Sequence, residues 1–154
     1  MESGLVAKKL DYNFLLRKAS ISVVKEILEQ IAVEGLFKKQ QIYVTFAINH
    51  PDVKISKLLR EDYEDEMTIV LQYEFWDLVV DDYGFSVSLA FEHSDETIYV
   101  PFASMISVND PSEDFCLDFT PDFSELKPKA EQEKFQTVPS TGNIISLDKF
   151  RRGK

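Results

Sequence analysis

A single cysteine, Cys116, occurs in the 154 residues, so no internal disulfide can form. That excludes a disulfide-stapled secreted scaffold and leaves a reducing compartment, the cytoplasm, as the expectation. Cys116 sits in the apolar stretch Phe115–Phe119 and reads as a small buried hydrophobe. Glycines number five and are scattered singly, so there is no Gly-rich phosphate loop and no Gly-x-Ser-x-Gly elbow. The two histidines, His50 and His93, fall in turn-like stretches and are expected to face solvent. No His-x-x-His or Cys-x-x-Cys spacing offers a metal its ligands. Apolar runs such as Ile69–Leu71 are far shorter than the roughly 20 residues a bilayer-spanning helix needs. Residues Met1–Lys9 lack the apolar stretch of a signal peptide. The expectation is a protein without metal, cofactor, membrane span or catalytic constellation, acting by binding and not as an enzyme.

Charge is abundant but unevenly placed. The whole chain carries −10. From Thr120 onward seven basic residues face five acidic ones, a net of +2; residues 1–119 hold ten basic and 22 acidic residues, a net of −12. So acidic a body repels phosphate backbones, which argues against nucleic acid as the ligand. The run Glu61, Asp62, Glu64, Asp65 and Glu66 reads as a solvated, self-repelling connector.

Hydrophobic periodicity divides the rest. From Tyr12 to Glu34, Leu16, Val23, Val24, Ile27, Leu28 and Ile31 recur at three- and four-residue spacing, the pattern of an amphipathic helix. Asp11 or Asn13 can cap it and Gly35 stops it. Leu15, Ala19 and Ile21 widen the apolar stripe beyond one face. Either a single sheet covers it all, or part of it, around Leu16, Ala19 and Val23, meets a second copy of the chain. From Gln41 the period becomes two. Ile42, Val44, Phe46 and Ile48 alternate with smaller or more polar residues, as do Phe85, Val87, Leu89 and Phe91. Strands are expected over Glu66–Phe75, Trp76–Val80 and Thr97–Pro101, with turns at Asn49–Asp52, Asp81–Gly84 and Glu92–Glu96. Ala103–Val108 and Phe115–Phe119 supply the last apolar segments. Many short strands after one helix give an α+β fold, a small antiparallel barrel or sandwich behind an N-terminal helix. Aromatics crowd the middle hairpin, among them Tyr73, Phe75, Trp76, Tyr83 and Phe91. Most must be core, but some, Phe75 and Trp76 included, are expected to line a groove suited to an extended peptide.

After Phe119 the pattern dissolves. Residues 120–142 are rich in Pro, Lys, Glu, Ser and Thr and read as a disordered linker. Residues 143–154 then gather Ile144, Ile145, Leu147 and Phe150 with Lys149, Arg151 and Arg152. Such a cluster either folds back on the body of residues 1–119 or is a short docking motif that orders on a partner.

Several blocks are recognisable. Asp65-Glu66-Met67-Thr68-Ile69-Val70-Leu71-Gln72, then Phe75-Trp76-Asp77-Leu78, resemble the stringent starvation protein B (SspB) family in its alphaproteobacterial branch. So do Gly84-Phe85-Ser86-Val87-Ser88-Leu89, Val100-Pro101-Phe102-Ala103 and the ending Ile145-Ser146-Leu147-Asp148-Lys149-Phe150-Arg151-Arg152. The resemblance implies an adaptor of the ATP-dependent protease ClpXP, with an Sm-like, SH3-like barrel that dimerises. It implies a groove for the ssrA degradation tag, with Leu89, Phe91, Met105, Ile106 and Ser107 on the groove segments. It also implies that the C-terminal peptide docks on the ClpX N-terminal domain. The competing expectation from the same fold, an Sm-like nucleic-acid-binding protein, needs a basic groove that the body's charge opposes.

Overall fold

The computed structural model describes residues 7–92 and 94–129. Helix α1 spans Tyr12–Glu34, the range its periodicity predicts. The Asp11 carboxylate accepts the Phe14 amide at 3.0 Å, which satisfies one of the unpaired donors of the first turn. Gly35, at φ 78°, returns its own amide to the Ile31 carbonyl and ends the helix. Val24, Leu28 and Ile31 are buried, with Ile21 and Ile27 partly so. Leu16 and Val23 remain exposed, as does Ala19.

Seven strands follow: β1 Ile42–Ala47, β2 Glu66–Leu71, β3 Phe75–Val80, β4 Gly84–Ala90, β5 Asp95–Pro101, β6 Met105–Asp110 and β7 Phe115–Asp118. They pair antiparallel into two sheets, a four-stranded one ordered β2-β1-β6-β7 and a three-stranded one ordered β3-β4-β5. The expected α+β class holds. The strand pairings form two separate sheets and not one continuous closed ladder. The period-two rows become the core: Ile42, Val44 and Phe46 from β1, Met67, Ile69 and Leu71 from β2, and Phe85, Val87 and Leu89 from β4. Helix α1 packs against β3, and Lys25 reaches Asp82 at 2.7 Å to fasten it.

Three local devices shape the three-stranded sheet. Asp77 adopts φ 54° within β3, and the register against β4 shifts between Trp76 and Val79. An extra residue in a strand bends and twists it, and Asp tolerates the left-handed conformation better than most residues. At the β3–β4 hairpin the Asp81 amide bonds the Gly84 carbonyl at 2.9 Å, and the Asp81 carboxylate accepts the amides of Tyr83 and Gly84. A Cβ on Gly84 would lie 2.3 Å from the Val100 carbonyl oxygen, so only glycine fits there.

Five expectations need correction. The strand expected over Glu66–Phe75 stops at Leu71, and β3 already begins at Phe75. The acidic connector is in part a helix, α2, Lys57–Asp62, capped by the Ser56 hydroxyl accepting the Leu59 amide and anchored by buried Leu59. Cys116 is exposed, because β7 is an outer strand and the residue points away from the core. His50 is buried, because the chain after β7 returns over it. Residues 120–127 are not free linker: they are hydrogen-bonded to the body, with Lys127 buried. Residues 130–142 of the expected linker and all of residues 143–154 lie outside the described residues.

Candidate functional site: an apolar cleft beside an outer strand

Strand β2 pairs with β1 alone, so one of its edges is unpaired within the described sheets. Its alternation sends Met67, Ile69 and Leu71 inward and Thr68 and Val70 outward. Val70 is therefore an apolar side chain on a surface face, half-exposed. Beside this strand opens a cleft of about 420 Å³. Its walls are Thr68, Ile69 and Val70 of β2 and Leu89, Ala90 and Phe91 at the end of β4. The turn Gln72-Tyr73-Glu74 and Tyr63 complete the rim. Tyr73 projects into solvent, 78% exposed. A large ring held on a short turn offers contact area at low cost in side-chain entropy. Glu74 adds a negative charge at the mouth.

The expected groove residues divide three ways. Leu89 and Phe91 do line the cleft, Leu89 as a nearly buried floor and Phe91 half-buried. Phe75 and Trp76 stand on β3 opposite Leu89 and Ser88, adjacent to the cleft but outside its lining. Met105, Ile106 and Ser107 do not join them. They begin β6, an inner strand of the four-stranded sheet, where Ser107 pairs with Thr45 and Asp118. Met105 is fully buried in the core and can touch no ligand. Sequence reading missed Val70 and Thr68. The available signal was Val70 itself, an apolar residue at an outward position of a strand whose other outward residues, Glu66 and Thr68, are polar. The candidate dimer residues Leu16, Ala19 and Val23 sit together on the exposed side of α1. The docking residues Ile144, Ile145, Leu147, Phe150, Arg151 and Arg152 lie outside the described residues.

Among the described residues no three His, Cys, Asp or Glu side chains gather as metal ligands would, and no helix is long and apolar enough to cross a membrane. What the cleft offers is a strand edge for backbone hydrogen bonds and apolar walls for side chains, the two requirements for holding an extended peptide.

No curated protein sequence matches the chain. The family model described as Stringent starvation protein B matches residues 15–149, which takes in most of α1, every strand and most of the C-terminal segment. The chain belongs to the stringent starvation protein B family, a family of protease adaptors.

Proposed function

We propose that this protein is a cytoplasmic adaptor that binds ssrA-tagged proteins in the cleft between β2 and β4 and delivers them to ClpXP. The single observation that carries the reading is the apolar cleft beside the unpaired edge of β2, in a member of an adaptor family. A tag peptide laid there would add backbone bonds to β2 and place alternate side chains against Val70, Leu89, Phe91 and Tyr73. Residues 143–154 would supply the second contact, with Ile144, Ile145, Leu147 and Phe150 as an apolar footprint and Arg151 and Arg152 as flanking charge, on the ClpX N-terminal domain. Two weak contacts joined on one chain act together, because the second becomes intramolecular at an effective concentration near the millimolar range. No catalytic group is required for this work. A homodimer through Leu16, Ala19 and Val23 would cover the apolar side of α1 and double both contacts.

The test separates the two contacts. Deleting Asn143–Lys154 should leave the affinity for a fluorescent ssrA peptide unchanged, remove stimulation of ClpXP at low substrate concentration, and turn the protein into an inhibitor that sequesters the tag. Full delivery by the truncated chain would refute the role given to the C-terminal peptide. Unaltered tag affinity in a Val70→Ser, Tyr73→Ala variant would place the tag elsewhere.

A further inference from the structure

The stretch that composition assigns to a linker begins as a strap built into the body. The Phe119 amide bonds the Ile106 carbonyl at 2.8 Å and the Asp122 amide the Ala103 carbonyl at 2.8 Å. Arg17 of α1 donates to the Thr120 carbonyl at 2.7 Å. His50 then meets the strap from the β1 side. Its Nδ1 accepts the Asp52 amide at 3.1 Å, so the ring proton resides on Nε2, which faces the carbonyls of Asp122 and Glu125 at 3.1 Å each. Phe123 stacks on the same imidazole at 5.9 Å between centroids. The end is held hardest. The Lys127 amide donates to the Asp52 carboxylate at 2.7 Å. Its ammonium donates to Asp81 at 3.1 Å and lies 4.5 Å from the centre of the Tyr99 ring. The Lys127 side chain is only 4% exposed. Lysine is rarely buried to that extent unless paired, and here a carboxylate and an aromatic face pair it. Pro128 follows and favours extended backbone at Lys127.

A segment that merely links would not need a buried cation. We propose that residues 119–127 are a clamp that fixes where the C-terminal tail leaves the body, with Lys127 and His50 as its positioning residues. The functional consequence rests on the adaptor reading above: the tether to residue 143 that composition reads as linker is then counted from after Lys127 instead of from after Phe119. Counted as coil, on the composition read above, 15 residues instead of 23 shorten the reach from about 26 Å to about 21 Å. Effective concentration rises roughly as the −3/2 power of tether length, so clamping raises it about two-fold. It also aims the tail from one point beside the β3–β4 hairpin.

Hydrogen exchange on the full chain tests the clamp directly. Lys127→Glu places a third carboxylate beside Asp52 and Asp81, while Lys129→Glu makes the same charge change at an exposed position two residues on. Amides from Asp122 to Lys127 should exchange about tenfold faster or more in Lys127→Glu, with β4 and β5 protected as before, and should be unchanged in Lys129→Glu. Wild-type protection in Lys127→Glu, or equal loss in both variants, would overturn the clamp. In delivery assays Lys127→Glu should need about twice the adaptor concentration at unchanged tag affinity, and Lys129→Glu should not. Equal delivery by the two variants, with the exchange result as expected, would overturn the positioning role. If deletion of residues 143–154 leaves delivery intact, the role given to the C-terminal peptide fails while the exchange comparison still judges the clamp.

Discussion

Two gaps in this small β-body are treated in opposite ways. Beside β2 the gap stays open, with Val70 and Tyr73 exposed at its edge. Beside the β3–β4 hairpin the gap is filled by the chain's own residues 119–127 through a network of His50, Asp52, Asp81, Tyr99 and Lys127. The open gap sets apolar walls beside a partly polar rim and depends largely on shape; the filled one is polar and depends on matched donors and acceptors. Apolar walls tolerate varied guests because contact is non-directional. A buried polar network accepts one arrangement, since any unmatched group is costly. The ligand site and the self-contact therefore need not compete: the strap's buried cation is matched by Asp81 and the Tyr99 ring, which lie outside the cleft lining.

Four substitutions or conditions sharpen that contrast. The largest effect is expected at Leu89, which serves both the cleft floor and the core. Leu89→Ala should lower unfolding stability by about 2–5 kcal/mol in denaturant titration, so loss of tag binding there would not isolate the site. Asp81→Asn removes the charge facing Lys127 and weakens the acceptor for Tyr99. It should cost about 1.5–3 kcal/mol, toward the low end because Asp81 is 39% exposed. Acid should act through the same carboxylate. Burial alone would push Asp81 up, but the Tyr83 amide, Lys127, the Gly84 amide and Tyr99 outweigh it and hold its pKa below the usual carboxylate value. A group depressed on folding contributes stability above its unfolded pKa, about 3.9, and loses it as pH falls through the folded value. Strap protection should therefore persist at pH 5 and decline below about pH 4, read by exchange at matched intrinsic rates. The smallest stability effect belongs to the open gap. Tyr73→Ala should change stability by less than about 0.5 kcal/mol while reducing tag-peptide affinity about tenfold. A large stability loss there would mean that the ring supports the fold.

Much of the fold could be read along the chain because its causes are local. The α1 limits follow from a capping aspartate and a terminating glycine, and the strands follow from side-chain alternation. Helix α2 escaped notice because six residues hold too few apolar positions to show a period, and its carboxylates suggested a loop. The β4 wall of the cleft was visible through Leu89 and Phe91. Val70 became a site residue only when the pairing order placed β2 at an edge. The strap was hidden for a different reason. Lys127 meets Asp52 and Asp81, partners 75 and 46 positions away, and composition counts a lysine as solvated whatever it meets later. His50 was misplaced by the same logic, since the residues that bury it come 72 and 75 positions further on.

The exposed thiol on β7 has a practical meaning of its own. Cys116 is the only sulfhydryl in the chain, and it lies on an outer strand where reagents can reach it. Partial desolvation, then the Asp118 carboxylate that receives its S–H at 3.7 Å, push its pKa above the usual thiol value. Thiolate, the reactive form, is therefore scarce at neutral pH. Peroxide and disulfide exchange should find it sluggish, while maleimide at alkaline pH should still attach one dye per polypeptide. An accessible but chemically quiet sulfur thus furnishes a native reporter whose stoichiometry counts subunits without any engineered residue.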